Sequence, residues 1–278
     1  MKIARSLPEL RAACQAARAT HPSLALVPTM GALHAGHRAL VEAAVSGGAA
    51  VVTSIFVNPT QFSPTEDLSR YPRDEAGDLA TLRDSGCAIV WMPDVATMYP
   101  AGGATTINLT GPAENWEGTA RPGHFAGVAT VCTKLFGQVR ADRAYFGEKD
   151  WQQLQVVTRM VSDLHLPLEI VPVATIRESD GLALSSRNRF LTAGERAQAP
   201  ALYRELSAAK AALAAGGDGA AATRVARERL TAAGFAVDYL ALVDGPSLTE
   251  IARPTAGSRL IAAARLGTVR LLDNIAAV

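Results

Sequence analysis

Lysine is nearly missing from this chain. Of its 27 basic residues only Lys2, Lys134, Lys149 and Lys210 are lysines, so a plain positive charge is ordinarily written as arginine. A lysine inside a motif therefore carries more information than usual. Cysteine is scarcer still: Cys14, Cys87 and Cys132 are odd in number and lack Cys-x-x-Cys spacing, which argues against a disulfide scaffold or a cysteine zinc site and for buried, reduced thiols. Neither sign of charge is in excess. A net charge of +1, from 27 basic and 26 acidic residues, makes no field able to recruit nucleic acid or an anionic membrane without local clustering. Aromatics, at 5%, offer little for stacking bases, which weighs against an RNA-binding module. There is no uncharged apolar run of about 18 residues, and MKIARSLPELRAAC at the amino terminus lacks the apolar stretch of an export signal. The expectation is a cytoplasmic protein with neither a membrane nor a nucleic acid as partner.

What the chain has in quantity is apolar sequence, 49% of 278 residues, enough for one large core or two modest ones. Aliphatic runs alternate with helical patterns through its first two thirds. Leu24–Thr29, Val51–Val57, Ala88–Met92, Ala141–Phe146 and Leu168–Ala174 read as strands, with helices between them. Strands apolar on both faces and separated by helices describe a doubly wound parallel sheet, a Rossmann-like α/β fold. After about residue 175 the texture changes to an Ala-rich helix over Ala193–Ala215, the breaker GGDG, a second helix to Ala233, and two antiparallel-looking strand regions. The expected division is a Rossmann-like domain over residues 1–175 and a smaller α+β domain over 176–278. No internal repeat is evident.

Ligands of a doubly wound sheet sit beyond the carboxyl ends of its strands, where loops enter helices whose free N–H groups attract anions. The stretch TMGALHAGH, Thr29 to His37, occupies such a place. Gly31 permits a sharp turn, Gly36 a close approach at the first helical turn, and His34 and His37, three apart, project from the same side. A bland alternative makes one imidazole a helix cap and the other a surface residue. Past the next strand, FVNPTQF brings Asn58 and Gln61 to the same edge, although Asn58-Pro59 is also an ordinary turn signal. FGEKDWQQL is another strand–loop–helix junction. Asp150 and Gln153 there have capping-box spacing, but Lys149 at a helix start opposes the macrodipole unless an anion is near, and reads as a phosphate contact. In DGLALSSRNRFL, Ser185 and Ser186 either cap a helix or, with Arg187, form a phosphate clamp.

The His-x-Gly-His pattern resembles the signature of the nucleotidylyltransferases, and Ser185–Arg187 resembles that superfamily's second signature. PTMGALHAGH, FVNPTQF, RYPR, EGTARPGHFAGVATVCTKLF, FGEKDWQQL and LSSRNRFL, in this order, resemble the pantoate–β-alanine ligases, from about residue 1 to the carboxyl terminus. Leu184, where methionine is usual, and Ala35, where larger or polar residues are frequent, depart from the pattern without replacing a chemical group.

The resemblance implies ATP-dependent joining of pantoate to β-alanine through a pantoyl-adenylate. His34, His37 and Lys149 would be catalytic. ATP would be held by Met30, Gly31, Ala32, Leu33, His34, Ala35, Gly36 and His37, by Gly147, Glu148, Lys149 and Asp150, and by Ile176, Leu184, Ser185, Ser186 and Arg187. Gln61, Gln153 and Asn58 would hold pantoate and β-alanine, with Mg2+ accompanying ATP through ligands left unassigned. A homodimer is also implied. The stretch Glu114–Phe125 is either a lid over the adenylate or an ordinary surface loop. The alternative enzyme is a relative that adenylylates a phosphorylated acceptor, against which Gln61, Gln153 and the second domain weigh.

Overall fold

The computed structural model describes residues 1–62, 68 and 71–278; Arg70, the first residue of RYPR, lies outside them. In chain order the main elements begin β1 (Lys2–Ala4), α1 (Leu7–Arg18), β2 (Leu24–Thr29), α2 (Ala35–Ser46), β3 (Ala50–Ile55), α3 (Glu75–Asp84) and β4 (Ile89–Trp91). They continue with α4 (Val95–Met98), α5 (Glu117–Ala120), α6 (His124–Val139), β5 (Arg143–Gly147), α7 (Trp151–Asp163) and β6 (Glu169–Val173). The remainder is α8 (Ala193–Gln198), α9 (Ala201–Ala214), α10 (Gly219–Ala232), β7 (Ala236–Val243), β8 (Arg259–Leu266) and β9 (Val269–Ala276).

The first six strands form one parallel sheet in the order β1-β4-β3-β2-β5-β6. Period-two alternation, with both faces covered, explains why β2 is apolar from Leu24 to Pro28. Leu24 and Leu26 enter one core with α1, α6 and α7, whereas Ala25 and Val27 enter a separate core with α2 on the opposite face. From β2 the chain winds outward through β3 and β4, then returns to lay β5 against the other side of β2. That reversal makes the crevice beyond the carboxyl ends of β2 and β5 the topological switch point.

The last three strands form an antiparallel sheet, β7-β8-β9, with a register shift between Val237 and Tyr239. Leu240, Leu242, Leu260 and Ala262 pack with α9 and α10, while Tyr239, Ala241, Ile261 and Ala263 face Trp116 and Trp151 from the first part of the chain. One Ala-rich helix was expected over Ala193–Ala215; two are found. Pro200 separates α8 from α9, since proline has no N–H for a helical ladder. Among the described residues no helix is long and apolar enough to cross a membrane.

Candidate active site

Leaving β2, the chain turns through two consecutive left-handed residues, Gly31 (φ 82°) and Ala32 (φ 51°). The turn is held from outside by Asp78 of α3, 4% exposed, whose carboxylate accepts from Ala32 N (2.9 Å) and Leu33 N (2.7 Å). A Cβ at position 31 would lie 2.9 Å from Asp78 Oδ2, so both backbone angle and space call for glycine there.

His34 is the N-cap of α2, its Nδ1 accepting from Gly36 N at 3.1 Å. His37 Nδ1 accepts from His34 N at 3.4 Å, and the two rings lie 4.1 Å apart, centre to centre. At Gly36 the neighbour is the His34 ring itself, within 3.0 Å of where a Cβ would stand, so the glycine makes room for the capping imidazole. The bland alternative is thus correct for His34 as the cap but not for His37 as a surface residue, since its Nδ1 is spent on the His34 N–H, and the two contacts have a chemical consequence. An Nδ1 that accepts from backbone carries no proton, which puts the ring N–H of the neutral imidazole on Nε2. Burial pushes the His34 pKa down to about 4, with Lys149 adding to the effect, and pushes His37 down to about 3, with His34 as the next cause. At neutral pH both rings are uncharged, single-proton donors.

Across the switch point, β5 ends at Gly147, where a Cβ would meet open space, and a single turn over Glu148–Asp150 leads into α7. Asp150 makes no side-chain cap bond, so the capping-box reading of Asp150 and Gln153 does not hold. Instead Lys149 Nζ lies 3.6 Å from Asp150 Oδ1. Surrounding atoms push the Asp150 carboxyl up, but Lys149, Arg187, His124 and Arg121 together outweigh them and hold it below the ordinary range. Side chains from three segments therefore act on one carboxylate, Lys149 from the nearest position.

A cavity of about 560 Å³ opens beside them. Its wall includes Met30, Gln61, Lys149, Asp150, Gln153, Ser185, Ser186 and Arg187 among the residues picked out from sequence. His34 and His37 are not on that wall, but they are close enough to Lys149 and Asp150 to feel both charges. Asn58 is also off the wall. It is 1% exposed and spends its amide on Gln61 Oε1 (3.1 Å), Gly127 O (3.2 Å), Thr60 N (3.3 Å) and Tyr99 Oη (2.8 Å). Its geometry suits holding Gln61, whose other amide atom donates to Met30 Sδ at 3.2 Å, rather than touching a ligand.

Ser185 caps the short helix that follows it, accepting from Arg187 N at 3.2 Å. A bridge between Arg177 and Ala183, and the bond from Leu184 N to Ile176 O (3.0 Å), fold this segment back so that Ile176 lies beside Leu184. Leu184 Cβ in turn is 3.9 Å from where a Cβ on Gly36 would be, which sets the pair next to the start of α2.

Several wall residues were not singled out from sequence. Tyr71, Arg121 and His124 line the cavity, and Arg121 and His124 both reach the backbone carbonyl of Gln61, at 3.4 and 2.9 Å. The last two lie in the quoted ARPGHF stretch, where an arginine three residues before a histidine was the available signal. The stretch Glu114–Phe125 is tied down: Glu117 N donates to Gln152 Oε1 (2.9 Å), and Gln152 Nε2 donates to Pro112 O (2.9 Å) and Asn115 O (2.7 Å). Adjacent glutamines thus divide the work, Gln152 buried as a tie and Gln153 half-buried on the cavity wall.

A family model described as pantoate-beta-alanine ligase matches residues 2–276. The pantothenate synthetase of Granulibacter bethesdensis is 58% identical over 99% of this chain and 96% of its own length, and that of Acidiphilium cryptum 56% identical over 99% and 100%. Among solved structures, pantothenate synthetase from Thermus thermophilus superposes with a TM-score of 0.93 at 48% identity, covering 100% of this chain and 99% of that one. Pantoate-beta-alanine ligase from Francisella tularensis, complexed with beta-gamma ATP and beta-alanine, superposes at 0.84 with 30% identity, covering 100% and 98%.

Proposed function

The chain belongs to the pantoate–β-alanine ligase family, and from that premise we propose that it condenses pantoate with β-alanine at the expense of ATP, by way of a pantoyl-adenylate, releasing AMP and pyrophosphate. A carboxylate is inert towards amines because oxide would have to leave. An acyl phosphate anhydride replaces that leaving group with AMP. The observation that carries the reading is the convergence at the switch point: neutral imidazoles after β2, the Lys149 ammonium after β5, and Gln61 and Gln153 on one cavity.

In this reading the Nε2–H groups of His34 and His37 donate to phosphate oxygens as charge builds on them, and Lys149, Ser185, Ser186 and Arg187 hold the triphosphate. Gly147–Asp150, Leu184 and Ile176 border the nucleoside. Gln61 and Gln153 hold pantoate. An amide serves better than a guanidinium here, because it matches hydroxyls as donor and acceptor without neutralising the carboxylate that must attack. Arg121, against the Gln61 carbonyl beside His124, adds a cation suited to the β-alanine carboxylate.

Mg2+ enters with ATP. Among the described residues no group of three or more His, Cys, Asp or Glu side chains could cage a metal, which fits an ion held mainly by phosphates and water. The separate cores below and above residue 175 support two domains, 1–175 and 176–278. Homodimer formation rests on the family resemblance alone; cytoplasmic residence is an expectation from composition and sequence.

Incubation with ATP, pantoate and β-alanine, each omitted in turn, tests the activity: AMP and pantothenate should appear only when all three are present. Exchange of pyrophosphate with ATP should require pantoate alone. Exchange that instead requires a phosphorylated acceptor would replace the ligase reading with adenylylation of that acceptor.

A further inference from the structure

The Glu148–Asp150 turn that carries Lys149 is gripped by the far end of the chain. Asn274 of β9 is 3% exposed, and its Nδ2 donates both hydrogens to successive backbone carbonyls of that turn, Glu148 O at 2.8 Å and Lys149 O at 2.9 Å. Those two carbonyls belong to the peptide planes on either side of the Lys149 Cα. Fixing both planes fixes the direction in which the lysine side chain leaves the backbone.

Asn274 is itself held rigidly. Its Oδ1 accepts from Arg259 Nη1 at 2.9 Å, which determines the sense of the amide, since two carbonyls need donors on one side and a guanidinium needs an acceptor on the other. Arg259 also reaches Glu148 Oε2 at 2.8 Å, and its guanidinium lies 3.7 Å from the centre of the Trp151 ring. Asn274 N donates to Asp273 Oδ1 (2.7 Å), and Asp273 is paired with both terminal nitrogens of Arg177 (2.7 and 2.8 Å).

We propose that Asn274 is a positioning residue for Lys149, aiming its ammonium at the nucleotide by holding both flanking carbonyls. The inference rests on the reading of Lys149 as a phosphate contact. It assigns to the carboxy-terminal strand, whose Asp273 and Asn274 also line the cavity, a part in ATP handling that is made through the backbone of the Lys149 turn.

Asn274→Asp tests it, because the side chain keeps its shape while both donors become an acceptor facing two carbonyl oxygens. The KM for ATP should rise about tenfold, the loss expected from one or two buried hydrogen bonds, while the KM values for pantoate and β-alanine stay within about twofold. A merely structural role would lower the melting temperature without this selectivity. Lys149→Ala and the double variant complete the experiment: if Asn274 acts through Lys149, the double variant loses no more than Lys149→Ala does. Should Asn274→Asp fail to fold, Arg259→Gln, which releases Glu148 and Asn274 Oδ1, should give the same ATP-selective shift, several-fold in size. An unchanged KM for ATP in whichever of the two variants folds, or additive losses in the double variant, overturns the role of Asn274. Normal ATP handling by Lys149→Ala overturns the phosphate-contact reading and the proposal with it.

Discussion

His34 caps α2 with one ring nitrogen, and the proposed reaction gives the other a second job that can be separated from the first chemically. Nδ1 caps α2 by accepting from Gly36 N, and in the proposed reaction Nε2–H is the group that would meet a phosphate. Asparagine is among the best N-cap residues, so His34→Asn keeps an acceptor where Nδ1 stands but has nothing at the reach of Nε2. The variant should melt within a few degrees of the parent by circular dichroism, yet form adenylate on the order of 10²–10³ more slowly, as for loss of one preorganised donor. A variant both stable and fully active would reduce His34 to a cap. Sequence alone could not divide the ring this way. It placed two imidazoles at a helix start, but which nitrogen faces backbone depends on the Gly31–Ala32 turn, and that turn depends on a carboxylate 46 residues further on.

At the scale of elements, that carboxylate makes α3 part of the site. Asp78 satisfies Ala32 N and Leu33 N with separate oxygens, whereas asparagine has one oxygen and would face the second N–H with its own donor. Asp78→Asn should therefore lower stability by about 1–3 kcal/mol in urea unfolding. A change below about 0.5 kcal/mol would mean that the histidine loop stands without α3. The helix itself was readable between Glu75 and Gly86, but its contribution was not, because an acidic residue in a helix is ordinarily on the solvent side. Legibility followed the same rule elsewhere. β2 is legible to the residue because burial on both faces writes an unbroken apolar run, and α8 and α9 merge in a periodicity reading because alanine fits a helix on either side of Pro200. β1 and α1 are not part of the strand-and-helix reading above. Three residues are too few for a period, although Ser6 and Glu9 form a capping box that announces the helix. The loops that carry Lys149, Gln61 and Ser185 were legible because glycine, proline and chain position mark strand ends. The holders Asn274 and Asp78 sit inside elements where a polar residue has no local pattern to betray it, whereas Asn58, at a strand end before a proline, was legible with the Gln61 it holds.

For the whole molecule, the question is what keeps the three-stranded sheet against the six-stranded one across a cavity. Polar groups far apart in sequence do much of it. Trp116 Nε1 donates to Leu248 O (2.9 Å), Trp151 Nε1 to Gly245 O (2.8 Å), and Glu117 receives Arg270 through both oxygens, at 2.6 and 2.8 Å, with Tyr239 Oη at 2.9 Å. Burial pushes the Tyr239 phenol well up and the Glu117 carboxylate pushes it further; burial pulls Arg270 down, but the Glu117 and Asp238 carboxylates more than reverse that. Glu117 is 5% exposed, so its charge has little water to fall back on. Removing one member of such a pair leaves the other short of its partner, and Glu117→Ala should cost about 3–5 kcal/mol in global stability. Arg270 keeps Asp238 at 2.6 Å in that variant, which places the expectation at the lower end of the range. A double-mutant cycle with Arg270→Ala isolates the pair itself: denaturant unfolding should give a coupling of roughly 1.5–3 kcal/mol if Glu117 and Arg270 hold the two sheets together. Additive losses would mean that the tryptophan and asparagine contacts carry the junction, and that the carboxylate serves only Tyr239 and its own loop.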